Sequence, residues 1–300
     1  MNRDDDMYDI IIVGCGPAGM TAALYARRAN KKVLVFEAKA YGGQIINAHM
    51  VKNYPGIHDI SGFDYATLLY NQIKELDCEI KYEAVIRIED DNIVVTNKDK
   101  YQAKSIILAT GAVSKKMNIA REDDFIGKGI SYCATCDGNF YKDKDVCVYG
   151  GDNTALEDAL YLSDIASNVY LINKEDKFID NILLDEINNK DNIHIITVCS
   201  SVELRGDENL TGIRLSSDNT ISISGLFIVI GNSPKNEIFK NIIDIDKDGY
   251  IISSDGVHTS KPKIYVAGDN RVKKLRQLVT ACSDGAIAAT TAIMEMNDNG

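Results

Sequence analysis

The sequence has no surplus of basic residues: 33 Lys and Arg stand against 44 Asp and Glu, a formal charge of −11 over 300 residues. A chain this acidic repels phosphate backbones, and no basic stretch is large enough to offset that, so no nucleic-acid partner is expected. Long hydrophobic runs are also missing. The most apolar stretch, Ile221 to Ile230, is serine-broken and well short of the roughly 20 residues a bilayer span needs, so no membrane role is expected. No signal peptide is visible, because the acidic first residues lead straight into a strand; the expected location is cytoplasmic. The four histidines (His49, His58, His194, His258) are scattered and no Cys/His cluster has zinc spacing, so no metal site is expected. Seven cysteines, an odd number spread along the chain, do not make a secreted disulfide framework. Cys15, Cys78, Cys147, Cys199 and Cys282 lie in or beside apolar runs and read as small core residues. One close pair remains, Cys133 and Cys136.

The length is about twice that of a usual domain, which favours two domains. Tyr8-Asp-Ile-Ile-Ile-Val13 reads as a strand buried on both faces, followed by glycines, a helix from Met20 to Asn30 and a second strand, Lys32 to Phe36. The pattern recurs about 135 residues later. Asp145 to Tyr149 is a strand, Gly150-Gly151 a turn, Thr154 to Ile165 a helix and Asn168 to Ile172 a strand. Strands closed by glycine follow each unit, at Ser105–Gly111 and Gly225–Gly231, with one more at Ile264–Gly268 before a helix from Leu275 to Met296. The expected fold class is α/β, with two doubly wound, Rossmann-like domains. No low-complexity tract or Pro/Ser linker separates them, so the joints must be short.

Gly14-Cys15-Gly16-Pro17-Ala18-Gly19 is a G-x-G-x-x-G loop between strand and helix. Its glycines allow the tight turn, the approach of backbone to a pyrophosphate and close helix packing, while the helix N-terminus faces the phosphates. Glu37, just past the second strand, is placed to accept hydrogen bonds from a ribose diol. The loop alone leaves FAD and NAD both open.

Further along the chain stand Gly42-Gly43-Gln44, Asn53-Tyr-Pro-Gly56, Ala109-Thr110-Gly111, Cys133-Ala-Thr-Cys136-Asp137, Gly268-Asp269 and Arg276-Gln277. In this order and spacing, over nearly the whole chain, the sequence resembles the low-molecular-weight thioredoxin reductases. The resemblance implies that the first glycine loop binds FAD, with Gly42, Gly43, Gln44, Asn53, Thr110, Gly111, Gly268, Asp269, Arg276 and Gln277 around it. It implies a discontinuous FAD domain, residues 1–113 and 246–300, and an inserted dithiol domain, 114–245, that rotates about joints near Val113–Lys115 and Ile243–Asp246. A homodimer is expected on the same ground.

A Cys-x-x-Cys pair brings two sulfurs within disulfide reach. With no second pair to complete a metal site, the redox reading prevails over a zinc one. By resemblance, Cys136 takes electrons from the flavin, Cys133 attacks the disulfide of thioredoxin, and Asp137 handles the thiol proton.

The second loop departs from the family's G-x-G-x-x-A. Gly150 and Ala155 are present, but Asp152 stands where the second glycine belongs. A carboxylate about 4 Å from a phosphate costs about 4 kcal/mol at an effective dielectric near 20, roughly three orders of magnitude in affinity. The basic run for a 2′-phosphate reads Asn173-Lys174-Glu175, and Ile179 stands where a further arginine is usual. The chain therefore resembles the ferredoxin-linked branch, which does not use pyridine nucleotides. A cationic patch at Arg271, Lys273 and Lys274 is the expected docking point for an acidic ferredoxin. The alternatives are a conventional NAD(P)H-dependent reductase, a flavin dithiol oxidase passing electrons to oxygen, and a non-catalytic flavin-binding regulator.

Overall fold

The computed structural model describes residues 7–48, 50–176, 181–197, 201–216, 219–254 and 256–298; His49, Ile179 and Cys199 lie outside them. The chain divides into two compact units, Met1–Val113 with Ser233–Gly300, and Ser114–Asn232.

The first unit begins with β1 (Tyr8–Val13), α1 (Pro17–Arg28) and β2 (Val33–Glu37). The isoleucines and valine of β1 lie between parallel neighbours, Ile12 opposite Val35 on one side and Ile107 on the other. Burial on both faces suits this unbroken β-branched run. Next come α2 (Gly62–Glu75), started by the Ser61 hydroxyl, which accepts from the Asp64 N–H, and β3 (Glu79–Tyr82). A meander of β4 (Val85–Glu89), β5 (Ile93–Thr96) and β6 (Lys100–Leu108) returns to the centre. The sheet order is β3-β2-β1-β6-β5-β4, so the first glycine loop opens at the carboxyl ends of the central strands.

The chain leaves this unit through β7 (Ala112–Ser114). The second unit holds β8 (Ile130–Ser131), a short α3 (Ala134–Asp137), β9 (Asp145–Tyr149), α4 (Asn153–Ser163), β10 (Asn168–Ile172), α5 (Asn181–Asn188) and β11 (Ile193–Ile196). An antiparallel sheet of β12 (Val202–Arg205), β13 (Gly212–Leu215) and β14 (Thr220–Ser222) precedes β15 (Gly225–Ile228). The parallel sheet runs β11-β10-β9-β15-β8. It repeats the first unit's central arrangement, with its own core of Val146, Val148, Leu156, Leu162, Leu171 and Phe227.

The return passes through β16 (Asn232–Pro234). This is ahead of the expected joint at Ile243–Asp246. The reason is packing: Phe239, Ile243 and Ile251 are buried with Ile11, Leu34 and Ile106, so the segment after β16 already belongs to the first core. The chain closes with β17 (Ile264–Val266), parallel to β6, and α6 (Leu278–Asp298). That helix begins three residues later than its sequence pattern predicts, leaving Arg276 and Gln277 in the loop before it. It packs on α1 through small residues on both sides, Ala18, Ala22 and Ala26 against Ala288, Ala289 and Ala292. Contact is closest at Gly285, where a Cβ would stand 2.1 Å from the Ala18 carbonyl oxygen. No described helix is long and apolar enough to cross a membrane.

Candidate functional site

The first glycine loop is a backbone cradle. Gly14 adopts φ +111°, and a Cβ there would fall 2.3 Å from the Ala109 carbonyl oxygen, so only glycine turns the chain here. Pro17 opens α1, and Gly16 at the N-cap leaves the first-turn N–H groups without a side-chain cap. The Gly42 N–H donates to the Cys15 carbonyl at 2.8 Å, drawing Gly42-Gly43-Gln44 beside Gly16. A Cβ on Gly16 would meet nothing nearer than Gly43 Cα at 3.8 Å, so that side of the loop is open. Glu37, at the end of β2, accepts from Cys15 N–H at 3.0 Å and Lys39 N–H at 2.9 Å.

The second wall is the loop from Gly268 to Gln277. Gly268 N–H donates to Asp284 Oδ2 on α6 at 3.0 Å. Arg276 lies with its guanidinium 4.1 Å from the Tyr250 ring centroid and donates to the carbonyls of Asp269 and Arg271, each at 3.3 Å. Asn53 Nδ2 donates to Gln277 Oε1 at 3.1 Å. Asp269 has a buried Oδ1 with no hydrogen-bond partner among the described residues, and burial, only partly offset by Lys273, Arg276 and Arg271, pushes its carboxyl pKa up. Thr110 accepts from Asn270 Nδ2 and donates to Asn236 Oδ1, both at 3.0 Å. Asn236 in turn donates to the carbonyls of Gly249 and Asn270. Both asparagines are fully buried and were missed in the sequence; the one available signal was polar residues inside otherwise core-forming segments.

The same loop overturns the expected docking patch. Arg271 donates to both oxygens of Asp284 at 2.9 Å, and Lys273 Nζ to Oδ2 at 2.8 Å. Their side chains are only 15% and 7% exposed. The two cations are neutralised from a helix turn 11 to 13 residues further on, and only Lys274 of the three faces solvent.

In the second unit, Cys133 and Cys136 form a disulfide, with S–S 2.06 Å and Cα atoms 5.3 Å apart. Cys133 is the N-cap of α3, which has four residues. Asp137 Oδ2 accepts from the Ser131 hydroxyl at 2.6 Å, and that hydroxyl also accepts from Cys133 N–H at 3.1 Å. Ser131 thus ties the expected acid to the dithiol backbone. Sequence reading did not single it out, since it sits before the motif. Tyr132 donates to buried Glu122 at 2.7 Å.

At the second glycine loop, Asp152 caps α4: its carboxylate accepts from Ala155 N–H at 3.0 Å. The buried Asn173 amide closes over the same loop, such that a Cβ on Gly151 would stand 2.4 Å from Asn173 Oδ1. Beside the loop is a cavity of about 390 Å³, lined in part by Lys116, Tyr149, Gly150, Asn173, Lys174 and Ile230. On α4, burial first, then Glu157 and Asp152, push the Asp158 pKa up to about 7.

The family model described as pyridine nucleotide-disulphide oxidoreductase matches residues 8–285. A thioredoxin reductase of Listeria monocytogenes is 36% identical over 302 residues, covering 97% of this chain and 95% of its own. The chain belongs to the low-molecular-weight thioredoxin reductases. The solved thioredoxin reductase of Streptococcus pyogenes superposes with a TM-score of 0.93 at 36% identity, covering 98% of this chain and 99% of its own. A ferredoxin-flavin thioredoxin reductase from Clostridium acetobutylicum is also similar, at 28% identity and TM-score 0.54, covering 97% and 99%. FAD is the cofactor of this family and of this chain. The first unit fits it: an open backbone cradle, an uncapped helix N-terminus, a carboxylate at the end of β2, and a buried acceptor on Asp269 with no partner among the described residues.

Proposed function

We propose that this protein reduces the disulfide of thioredoxin through Cys133 and Cys136, with electrons from a ferredoxin rather than from NADPH. The unit built on the first glycine loop is assigned as the FAD domain, and the inserted unit as the dithiol domain. Gly14, Gly16, Pro17, Ala18, Gly19 and Glu37 would hold the dinucleotide part of FAD. Gly42, Gly43, Gln44, Asn53, Thr110, Gly111, Gly268, Asp269, Arg276 and Gln277 would hold the rest. Bound there, FAD supplies a carrier that loads singly and unloads in pairs, which a one-electron donor and a two-electron disulfide require.

Two electrons open the Cys133–Cys136 bond, and Cys136 is assigned the sulfur that first receives them. The Cys133 thiolate attacks the thioredoxin disulfide, forming a mixed disulfide and releasing one thioredoxin thiolate, which takes a proton. The Cys136 thiolate then attacks Cys133 Sγ, restoring the intramolecular disulfide and releasing the second thioredoxin sulfur. Asp137, held by Ser131, is assigned to deliver that proton.

The donor assignment rests on Asp152. Its carboxylate occupies the α4 N-terminus that would otherwise receive a pyrophosphate, so nucleotide binding must displace a cap and approach a negative charge. A ferredoxin-flavin thioredoxin reductase is among the similar structures, at lower identity and TM-score than the Streptococcus pyogenes thioredoxin reductase, so the donor assignment stands on Asp152 alone. The cavity with Lys116 and Lys174 favours the second reading, an NAD(P)H-dependent reductase. Turnover with thioredoxin, offering NADPH, NADH and reduced ferredoxin in turn, separates them. Reduction with ferredoxin alone is expected, whereas rapid flavin bleaching by micromolar NADPH overturns the assignment. Asp152→Gly should raise NADPH affinity, read by titration, at a stability cost of only a few tenths of a kcal/mol.

Among the described residues, the buried cysteines Cys15, Cys78 and Cys282 are free thiols, which suits a reducing compartment such as the cytoplasm. A homodimer is also proposed. Val279, Ile287 and Met294 recur on α6 at helical spacing and remain 38%, 48% and 61% exposed, and sedimentation of the holoprotein tests it.

A further inference from the structure

Asp284 is a heavily engaged, nearly buried carboxylate, and no motif reading assigns it a role. It is nearly buried on α6, one residue before the glycine that brings this helix onto α1. It accepts four hydrogen bonds: two from Arg271, one from Lys273 and one from the Gly268 N–H. Burial alone would raise its pKa, but the two cations outweigh burial and hold it below the usual carboxylate range. Its neighbour across the loop, Asp269, is in the opposite condition. Asp269 forms no ion pair among the described residues and has an unpartnered buried oxygen, although Lys273, Arg276 and Arg271 all lie close enough to act on it.

Arg271 and Lys273 lie within reach of two carboxylates, Asp269 in their own loop and Asp284 on α6, yet both pair with Asp284. Nothing in the spacing of Asp269, Arg271 and Lys273 prevents a local pairing within the loop; what prevents it is a stronger, two-cation partner supplied by α6. A carboxylate already paired to a guanidinium makes a poor acceptor for a neutral hydroxyl, because charge-assisted bonds are roughly twice as strong as neutral ones.

We infer that Asp284 is a positioning residue for the cofactor: by sequestering Arg271 and Lys273 it keeps the Asp269 carboxyl unpaired, as an acceptor for FAD. Its bond to the Gly268 N–H fixes the backbone from which Asp269 projects, so charge diversion and loop placement act from the same side chain. The inference rests on FAD occupying the first unit. Wild-type apoprotein that fails to take up FAD would defeat that reading; wild type that binds while the variants below behave otherwise defeats this inference alone.

The test is FAD affinity, measured by quenching of free FAD fluorescence on addition to apoprotein. Asp284→Asn keeps an acceptor for the Gly268 N–H but releases both cations, and FAD should bind roughly tenfold more weakly. The triple variant Arg271→Met, Lys273→Met, Asp284→Asn removes the cations as well as the charge that held them. It should recover affinity to within about threefold of wild type. A carboxylate that merely braces the loop predicts the reverse, with the triple variant as weak as the single one or weaker. Wild-type affinity in Asp284→Asn, or no recovery in the triple variant, overturns the inference. If Asp284→Asn does not fold, the triple variant against wild type decides alone: retained FAD supports charge diversion and lost FAD refutes it.

Discussion

Cys133 and Cys136 differ in position within α3, one at its N-cap and the other on its third residue. Their proposed roles differ accordingly, and single substitutions should separate them. Cys136→Ser should accumulate a mixed disulfide with thioredoxin once reduced, because no second thiolate remains to resolve it. Cys133→Ser should form none. Non-reducing electrophoresis distinguishes the two, and a swapped pattern reverses the assignment while leaving the dithiol chemistry intact. Asp158 offers a second test. Its folded pKa of about 7 lies above its ordinary value near 3.8, with burial as the main cause. Between these values the unfolded chain ionises while the folded one keeps its proton, so stability falls as pH rises from about 4 to 7 and then levels off. The ceiling on this loss is about 4 kcal/mol. Asp158→Asn should remove the slope, melting higher than wild type at pH 8 and close to it at pH 4; parallel curves would refute the shift.

At the scale of elements, α1 and α6 matter most, because the helix proposed to face FAD is held by the helix that carries Asp284. Gly285 allows their contact, and a valine there must push against the Ala18 carbonyl. Overpacking of this kind costs about 1–3 kcal/mol, and here the strain falls on the first turn of α1, within the glycine loop. Gly285→Val should therefore weaken FAD binding as well as lower the melting temperature. A melting loss with unchanged FAD affinity would show that the two helices are coupled less tightly than their contact implies. The four-residue α3 is a contrasting case. It is too short to be stable alone and relies on Ser131, which joins the Cys133 N–H to the Asp137 carboxylate.

At the scale of the whole molecule, the buried apolar residues fall into separate clusters. Those around β1 and α1 contain no residue of the inserted unit, and those around β9 and β12 contain only residues of it. Two cores with separate cofactor and dithiol duties predict two unfolding transitions rather than one. With FAD assigned to the first unit alone, excess FAD should raise one transition, by about 2.7 kcal/mol at one hundred times its dissociation constant, and leave the other in place. Calorimetry of apoprotein with and without FAD checks this, and a single transition moving as a whole would contradict it.

Much of this was written locally. The first glycine loop and the Cys-x-x-Cys pair are each written within a few consecutive residues, so spacing sufficed to locate them. The doubly wound architecture was legible for the same reason, since β-branched runs and glycine punctuation define each βαβ unit. What the sequence could not show is pairing between distant segments. Arg271 and Lys273 read as a solvent-facing patch because Asp284, the residue that neutralises them, meets them only when α6 docks on α1. Asn236, Asn270 and Thr110 join across more than a hundred residues, and the return joint shifted to Asn232–Pro234 because Phe239 and Ile243 found a core already formed by the first hundred residues. Local chemistry determined which groups the chain carries; three-dimensional packing decided which charges remain available, because a carboxylate or guanidinium is set by its nearest partner in space.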